Sequence, residues 1–268
     1  MTAGSADLER ARSLYNLTDF DQSLRVLQSI PAKDAAVYDL IGRNLYMQGD
    51  YKRSSEALER ALSEEPNVAG HALWLGRAYG RRAESASVFT APGYATKARQ
   101  YLERAVELDP RNLDALTDLF DYYLQAPGFL GGGVEKARHT ASQIAEIGPA
   151  EGYLAKAKLA ERHKEYSAAE AHLRNAVEAA PQQIGKLIEL ARFLVKQGRV
   201  QEADQSLARA EKIAPGSPRV MIARADLCIR TGRKREAREI LQRYLSGQLT
   251  PDDPPRSEAQ RMLRQAGS

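Results

Sequence analysis

The stretch APGFLGGGVEKAR, Ala126 to Arg138, sets Gly131, Gly132 and Gly133 directly before a helix-like run, with Lys136 three residues on. Glycines feeding a helix start are the form of a phosphate cradle. Backbone N–H groups can approach the anion there, and the helix N-terminus is electropositive. The details oppose that chemistry. A P-loop needs a preceding strand and a Lys-Ser/Thr pair directly after its last glycine; here Val134 and Glu135 follow, and Glu135 repels phosphate. The G-x-G-x-x-G fingerprint of dinucleotide sites is also missing. What remains is a turn at a helix N-terminus, open to two readings: packing against a neighbouring loop, or contact with an anion or ligand.

Other reactive residue types are sparse. His71, His139, His163 and His172 form no H-E-x-x-H pair, and none sits at metal-ligand spacing from Cys228, the single cysteine. No G-x-S-x-G elbow occurs. Asp118 and Asp121 lie one turn apart, as acidic pairs do on many helix surfaces. No catalytic residue, metal site or cofactor is expected, and the chain is read as a non-enzyme. With one cysteine no intramolecular disulfide can form, and Cys228 reads as a small buried hydrophobe.

The 268 residues carry 39 basic and 35 acidic side chains, a formal net charge of +4. Charges this well mixed argue against a nucleic-acid binder, which concentrates lysine and arginine on one face. The longest uncharged stretch, Tyr122 to Val134, holds proline and glycines and cannot cross a membrane, so no membrane insertion is expected. The start MTAGSADLER has neither a basic n-region nor an apolar h-region. The expectation is a cytoplasmic protein if Met1 is the native start, or a periplasmic or exported one if this is a mature form.

Positioning elements emerge from periodicity. SSEALERALSEEP, KARQYLERAVELDP, AAEAHLRNAVEAAP and EADQSLARAEKIAP share one phrase, with apolar residues at helical spacing and a terminating proline. Pro66, Pro110, Pro149, Pro181 and Pro215 recur at intervals of 32 to 44 residues. Between these lie second helices, such as YDLIGRNLYMQGDY and LIELARFLVKQGRV. Small residues recur at one place in them (Gly42, Gly76, Ala157, Ala191, Ala225). A second small position recurs in their partners (Ala98, Ala137, Ala169, Ala203, Ala237). Close helix approach needs a small residue at the contact. The unit is a repeated helical hairpin.

This pattern resembles the tetratricopeptide repeat family. Tyr38, Ile41, Gly42, Leu45, Gly49-Asp50-Tyr51, Leu58, Ala61 and Pro66 fall on its signature positions. The resemblance implies an all-α fold: a right-handed superhelical solenoid of about seven hairpins and a C-terminal capping helix. It would form a single domain over 1–268, with units at about 4–34, 35–68, 69–112, 113–151, 152–185, 186–219 and 220–250 and a cap over 251–268. Ser257 is expected to cap the last helix. The run from WLGRAYGRRAE to GGGVEKAR is also similar to a bacterial group of such proteins, usually exported, with inserts in two adjacent repeats.

Two units are long. Extra residues are expected between the helices of the third, around 81–94, and of the fourth, around 126–133. Both would lie on one edge, so that Phe89 and Tyr94 meet Phe129 and the triple glycine. The family's groove positions imply a stripe in which Arg12, Arg43 and Arg77 share a slot continued by Asp121, Lys158, Arg192 and Asp226. Tyr15, Tyr46, Trp74, Arg81, Asp118 and Gln125 flank it. Arginine beside aromatic residues suits a carboxylate, phosphate or acidic peptide. The bland alternative is internal pairing, Asp39 with Arg43 and Arg77 with Asp118 or Asp121. The carboxylate clamp of chaperone-tail binders is absent, since Leu8, Arg12, Leu40, Gly70 and Trp74 stand at its positions. Two functions stay open: a non-catalytic scaffold binding a protein or peptide, or a small-ligand or anion binder whose pocket the two inserts close. Self-association is a third, and the oligomeric state is not indicated.

Overall fold

The computed structural model describes residues 3–267; Met1, on which the compartment expectation turns, lies outside them, as does Ser268 of the expected cap. Among the described residues there are fifteen α-helices and one 3-10 turn, and no strand. The helices are α1 (Ala3–Asn16), α2 (Phe20–Ser29), α3 (Ala35–Met47), α4 (Tyr51–Glu64), α5 (Ala69–Ser85), α6 (Ala91–Leu108), α7 (Leu113–Gln125) and α8 (Val134–Ile147). They continue with α9 (Pro149–Arg162), α10 (Tyr166–Ala179), α11 (Ile184–Lys196), α12 (Val200–Ile213), α13 (Pro218–Arg230), α14 (Lys234–Ser246) and α15 (Arg256–Gly267). Consecutive helices pair as seven hairpins, α1/α2 through α13/α14, and α15 packs on α14 and α13. This is the all-α hairpin repeat that the sequence predicts. None of these helices is long and apolar enough to cross a membrane.

The chain divides into two compact units, Met1–Ile147 and Gly148–Ser268. In the first, α2 packs on α3, α4 on α5 and α6 on α7. In the second, α10 packs on α11 and α12 on α13 around a core of Leu187, Ile188, Phe193, Leu194 and Leu207.

Local chemistry sets the helix ends. The side chains of Asp19, Asp34, Asp50 and Asn112 accept backbone N–H bonds from the first turns of α2, α3, α4 and α7. Pro66, Pro110, Pro181 and Pro215 follow helix ends, as expected. Pro149 instead opens α9, where its missing N–H costs nothing. Ser257 stands inside the first turn of α15 rather than at its cap; the helix starts at Arg256, whose guanidinium reaches back to the carbonyls of Leu245 and Gly247.

One spacing organises the hairpins. A small residue on the first helix stands sixteen residues before a leucine on the second: Ala11/Leu27, Gly42/Leu58, Ala157/Leu173, Ala191/Leu207 and Ala225/Leu241. All ten residues are buried. A Cβ added at Gly42 would fall 2.4 Å from Leu58 Cγ, so the leucine occupies the room the glycine leaves. In the third hairpin the pair is Gly76/Leu102, with the same close approach, 2.9 Å. The fourth inverts the sizes: Phe120 stands at the small position and Ala141 at the leucine's, both buried. Ser23 and Ser54 hold the second small position in the first two hairpins, and each donates its hydroxyl to the facing carbonyl of Ala11 or Gly42.

Candidate functional site

The two long hairpins part from the expectation in an informative way. Residues 81–94 are not a loop. The run RRAES continues α5 to Ser85, and Pro92 sits in the first turn of α6, leaving only 86–90 as connector. Helical spacing continues through Arg81–Ser85, and proline is tolerated in a first turn. Tyr94 is therefore a helix residue. It stacks on Tyr79, with centroids 6.0 Å apart, under the Arg82 guanidinium at 4.2 Å. Phe89 and Phe129 are 91% and 82% exposed, so they do not staple the two segments together. The 3-10 turn Gly128–Leu130 meets α6 instead, and Gly131 closes on the Arg99 side chain.

The triple glycine is held by its own backbone. The N–H of Gly131 donates to Gly128, that of Gly132 to Pro127, and that of Gly133 to Tyr123, at 2.9, 3.3 and 2.8 Å. Lys136 donates to the Gly131 carbonyl and Tyr122 to that of Leu130. A Cβ on Gly132 would lie 1.9 Å from the Ala126 carbonyl oxygen, so the close approach requires glycine there. With all three N–H groups engaged, the loop has none of them to offer a phosphate.

The expected stripe of arginine and aromatic residues is assembled around α5, but its arginines there have partners. Trp74 lies between the guanidiniums of Arg43 and Arg77, 5.1 and 5.0 Å from its ring centroid. Tyr46 meets Trp74 and Tyr51 edge-on at 5.4 Å, and Arg81 covers Tyr51. Such stacks contribute most where water is excluded. Arg43 Nε pairs with Asp39 at 2.7 Å. Arg77 Nε donates to Asp118 at 2.5 Å and its Nη2 reaches Asp114 at 3.5 Å. Arg81 pairs with Glu84.

Burial raises the Asp118 carboxyl above its ordinary value, against the opposing pull of Arg77. For Arg77, burial works downward but is outweighed by the charge and hydrogen bond of Asp118, so the guanidinium is held above its usual range. Tyr46 is raised by burial. At the edge of the stack, Asp39 also faces His71 Nδ1 at 2.9 Å, and Glu65 faces His71 Nε2 at 3.2 Å. The Asp39 hydrogen bond lifts the pKa of this buried histidine, with burial opposing.

Beside the stack, α5, α6, α7 and the residues after α7 enclose a cleft of about 420 Å³. Its floor is apolar and built from small residues: Gly76, Gly80 and Ala83 of α5, Ala95 and Ala98 of α6, closed by Leu102 and Leu130. Its rim carries Arg77, Arg81, Glu84, Asp118, Asp121 and Gln125. Six of the sequence candidates thus meet at one place: Tyr46, Arg77, Arg81, Asp118, Asp121 and Gln125. Arg43 and Trp74 stand next to it through the stack. Tyr94, Phe129 and the three glycines do not line it.

Tetratricopeptide repeat family models match residues 40–91, 86–112 and 160–218. The chain is built of tetratricopeptide repeats. Its fold is similar to that of a thermophilic tetratricopeptide repeat protein of Thermus thermophilus, at 21% identity and a TM-score of 0.59 over 72% of this chain and 100% of that one. It is also similar to a tetratricopeptide repeat protein of Parabacteroides merdae, at 14% identity and a TM-score of 0.63, covering both chains fully. No curated protein sequence matches the chain significantly. Repeats of this family generally mediate protein–protein interaction and generally act as non-catalytic scaffolds.

Sequence reasoning missed the floor of the cleft. Its signal is GRAYG, with Gly76 and Gly80 one helical turn apart on α5. A Cβ on Gly76 would strike Leu102, whereas one on Gly80 would meet nothing within 4 Å. The first glycine serves the repeat's packing; the second opens the cleft.

Proposed function

We propose that this chain is a non-catalytic protein-interaction scaffold that seats a segment of a partner protein in the α5/α6/α7 cleft. One observation carries the reading: a preformed apolar floor of small residues inside a charged rim, held by rigid helices. Pre-set walls spare the ordering cost of binding, and apolar concavity with a few polar groups is the usual anatomy of a binding site. Arg77, Arg81, Asp118, Asp121 and Gln125 would orient the segment, with Tyr46 and Trp74 bracing the wall.

A small-ligand pocket is the second reading. It is supported by the volume, which lies within the range of small-molecule sites, and by the lining from both long segments, Arg81–Glu84 and Ala126–Leu130. The engaged glycine N–H groups speak against its anion-binding form.

Gly80→Leu separates the site from the fold, because a side chain there grows into open space. Capture of proteins from lysate by the native chain and by Gly80→Leu, compared by mass spectrometry, tests the proposal. A protein retained by the first and lost by the second is the expected result. An unchanged protein set would remove the cleft from partner binding, and a small molecule carried only by the native chain would favour the second reading.

A further inference from the structure

Resting on the cleft as the partner site, we infer that its occupant is a protein segment presenting apolar side chains flanked by lysine or arginine, not an acidic peptide. The arginines that suggest an acidic ligand are already satisfied. Arg77 holds Asp118 at 2.5 Å with Asp114 at its other end, and Arg81 holds Glu84. An incoming carboxylate would have to displace Asp118 from Arg77 and leave a largely buried carboxylate without its partner, a costly exchange. An incoming ammonium or guanidinium displaces nothing.

The charge inventory agrees. Two cations, Arg77 and Arg81, face three carboxylates, Glu84, Asp118 and Asp121, on the rim. Asp114, Asp118 and Asp121 stand at i, i+4 and i+7, one face of α7. That face therefore presents net negative charge along one wall of an apolar trough, complementary to a basic flank.

The apolar part of the occupant follows from the floor and its surroundings. Gly76, Gly80, Ala83, Ala95 and Ala98 offer no donors or acceptors from side chains, and about 420 Å³ exceeds the room one aliphatic side chain needs. The exposed Val88, Phe89 and Phe129 belong to the two segments that supply Glu84 and Leu130 to the lining, and they extend the apolar surface beyond the cleft. A helix or extended segment with two or three large apolar residues matches this surface.

The test is selection of a displayed random twelve-residue peptide library on the intact chain, with counter-selection on Gly80→Leu. Enriched peptides are expected to pair Leu, Ile, Phe or Met with Lys or Arg and to carry net positive charge. A synthetic peptide of the winning sequence should bind about tenfold tighter than its Lys/Arg→Glu counterpart at low salt, with the gap shrinking at high salt. Glu84 is exposed and pairs within its own helix, so Glu84→Lys leaves the fold intact and should erase most of that preference. Gly80-dependent enrichment of acidic peptides would overturn this inference while leaving the cleft as the partner site. Enrichment that ignores Gly80, or none, would overturn both.

Discussion

The third and sixth hairpins are made from the same parts and close differently. In α11/α12 three residues join the helices, Gly198 takes the left-handed turn at φ +75°, and Ala191 and Leu207 are both buried. In α5/α6 the equivalent contact, Gly76 with Leu102, is kept, but the helices run on past it for about a further turn each before they connect. Nothing in the repeat fills the space between those added turns. Gly80, Ala83 and Ala95 are too small to do so, and the 126–133 segment covers only one side. A lengthened hairpin therefore acquires a cleft without disturbing the contact that builds the repeat.

The widest contrast is expected between two glycines. Gly132 is required by space, Gly198 by conformation alone. Gly132→Ala should cost about 3 kcal/mol, because the obstacle is a backbone carbonyl that cannot move aside. Gly198→Ala should cost about 1 kcal/mol, the usual penalty for a side chain in the left-handed region. Urea unfolding of both variants checks this, and equal losses would mean that the 126–133 segment shifts freely.

Next comes the pair on α5. Gly76→Ala crowds Leu102 and should lose about 1–2 kcal/mol despite its gain in helix propensity. Gly80→Ala meets open space and should gain up to about 1 kcal/mol. A loss at Gly80 comparable to that at Gly76 would show that the cleft is filled by packing in the free protein.

These two glycines also show how far the sequence can be read. The hairpins are legible because proline stops, small residues and leucines recur at fixed offsets, and such offsets are what close packing demands. Arg77 and Asp118 are visible as a candidate pair, and Asp39 with Arg43, because opposite charges at neighbouring positions attract regardless of detail. Arg81–Tyr94 misleads. Its serines, Pro92 and Gly93 suggest a long break, but only Ala86–Thr90 is one. The floor of the cleft stays hidden because an unfilled space is a property of several helices together, and no single residue encodes it.

A third expectation concerns pH in the first unit, where His71 joins α3, α5 and the end of α4 through Asp39 and Glu65, with Arg43 on the far oxygen of Asp39. Its folded pKa lies above the unfolded value of 6.5. The bound proton therefore contributes stability that is complete below pH 6.5 and disappears as pH rises through the folded pKa. Thermal melting between about pH 5.5 and 8.5 should show this decline, and His71→Gln should flatten it. In the second unit the corresponding pair is Glu151–Lys186, at 2.7 Å, and a lysine so paired keeps its charge over that range.

The smallest effect lies in the tight turns. Thr18 and Lys164 take the left-handed conformation that Gly49, Gly198 and Gly232 take in other hairpins. Thr18→Gly and Lys164→Gly should each stabilise by roughly 1 kcal/mol or less, measured by the same unfolding. No gain would show that hydrogen bonds at these turns already offset the strain.

Trp74 is the only tryptophan in the chain. It sits between two guanidiniums and touches Tyr46, which lines the cleft. Its fluorescence thus comes from one place, free of background from any second indole. Guanidinium groups held against the ring and partial shielding from water fix its resting emission. Anything entering beside Tyr46 changes that environment and shifts colour or intensity. The protein carries its own optical gauge of occupancy, so a titration can be followed without a label on either component.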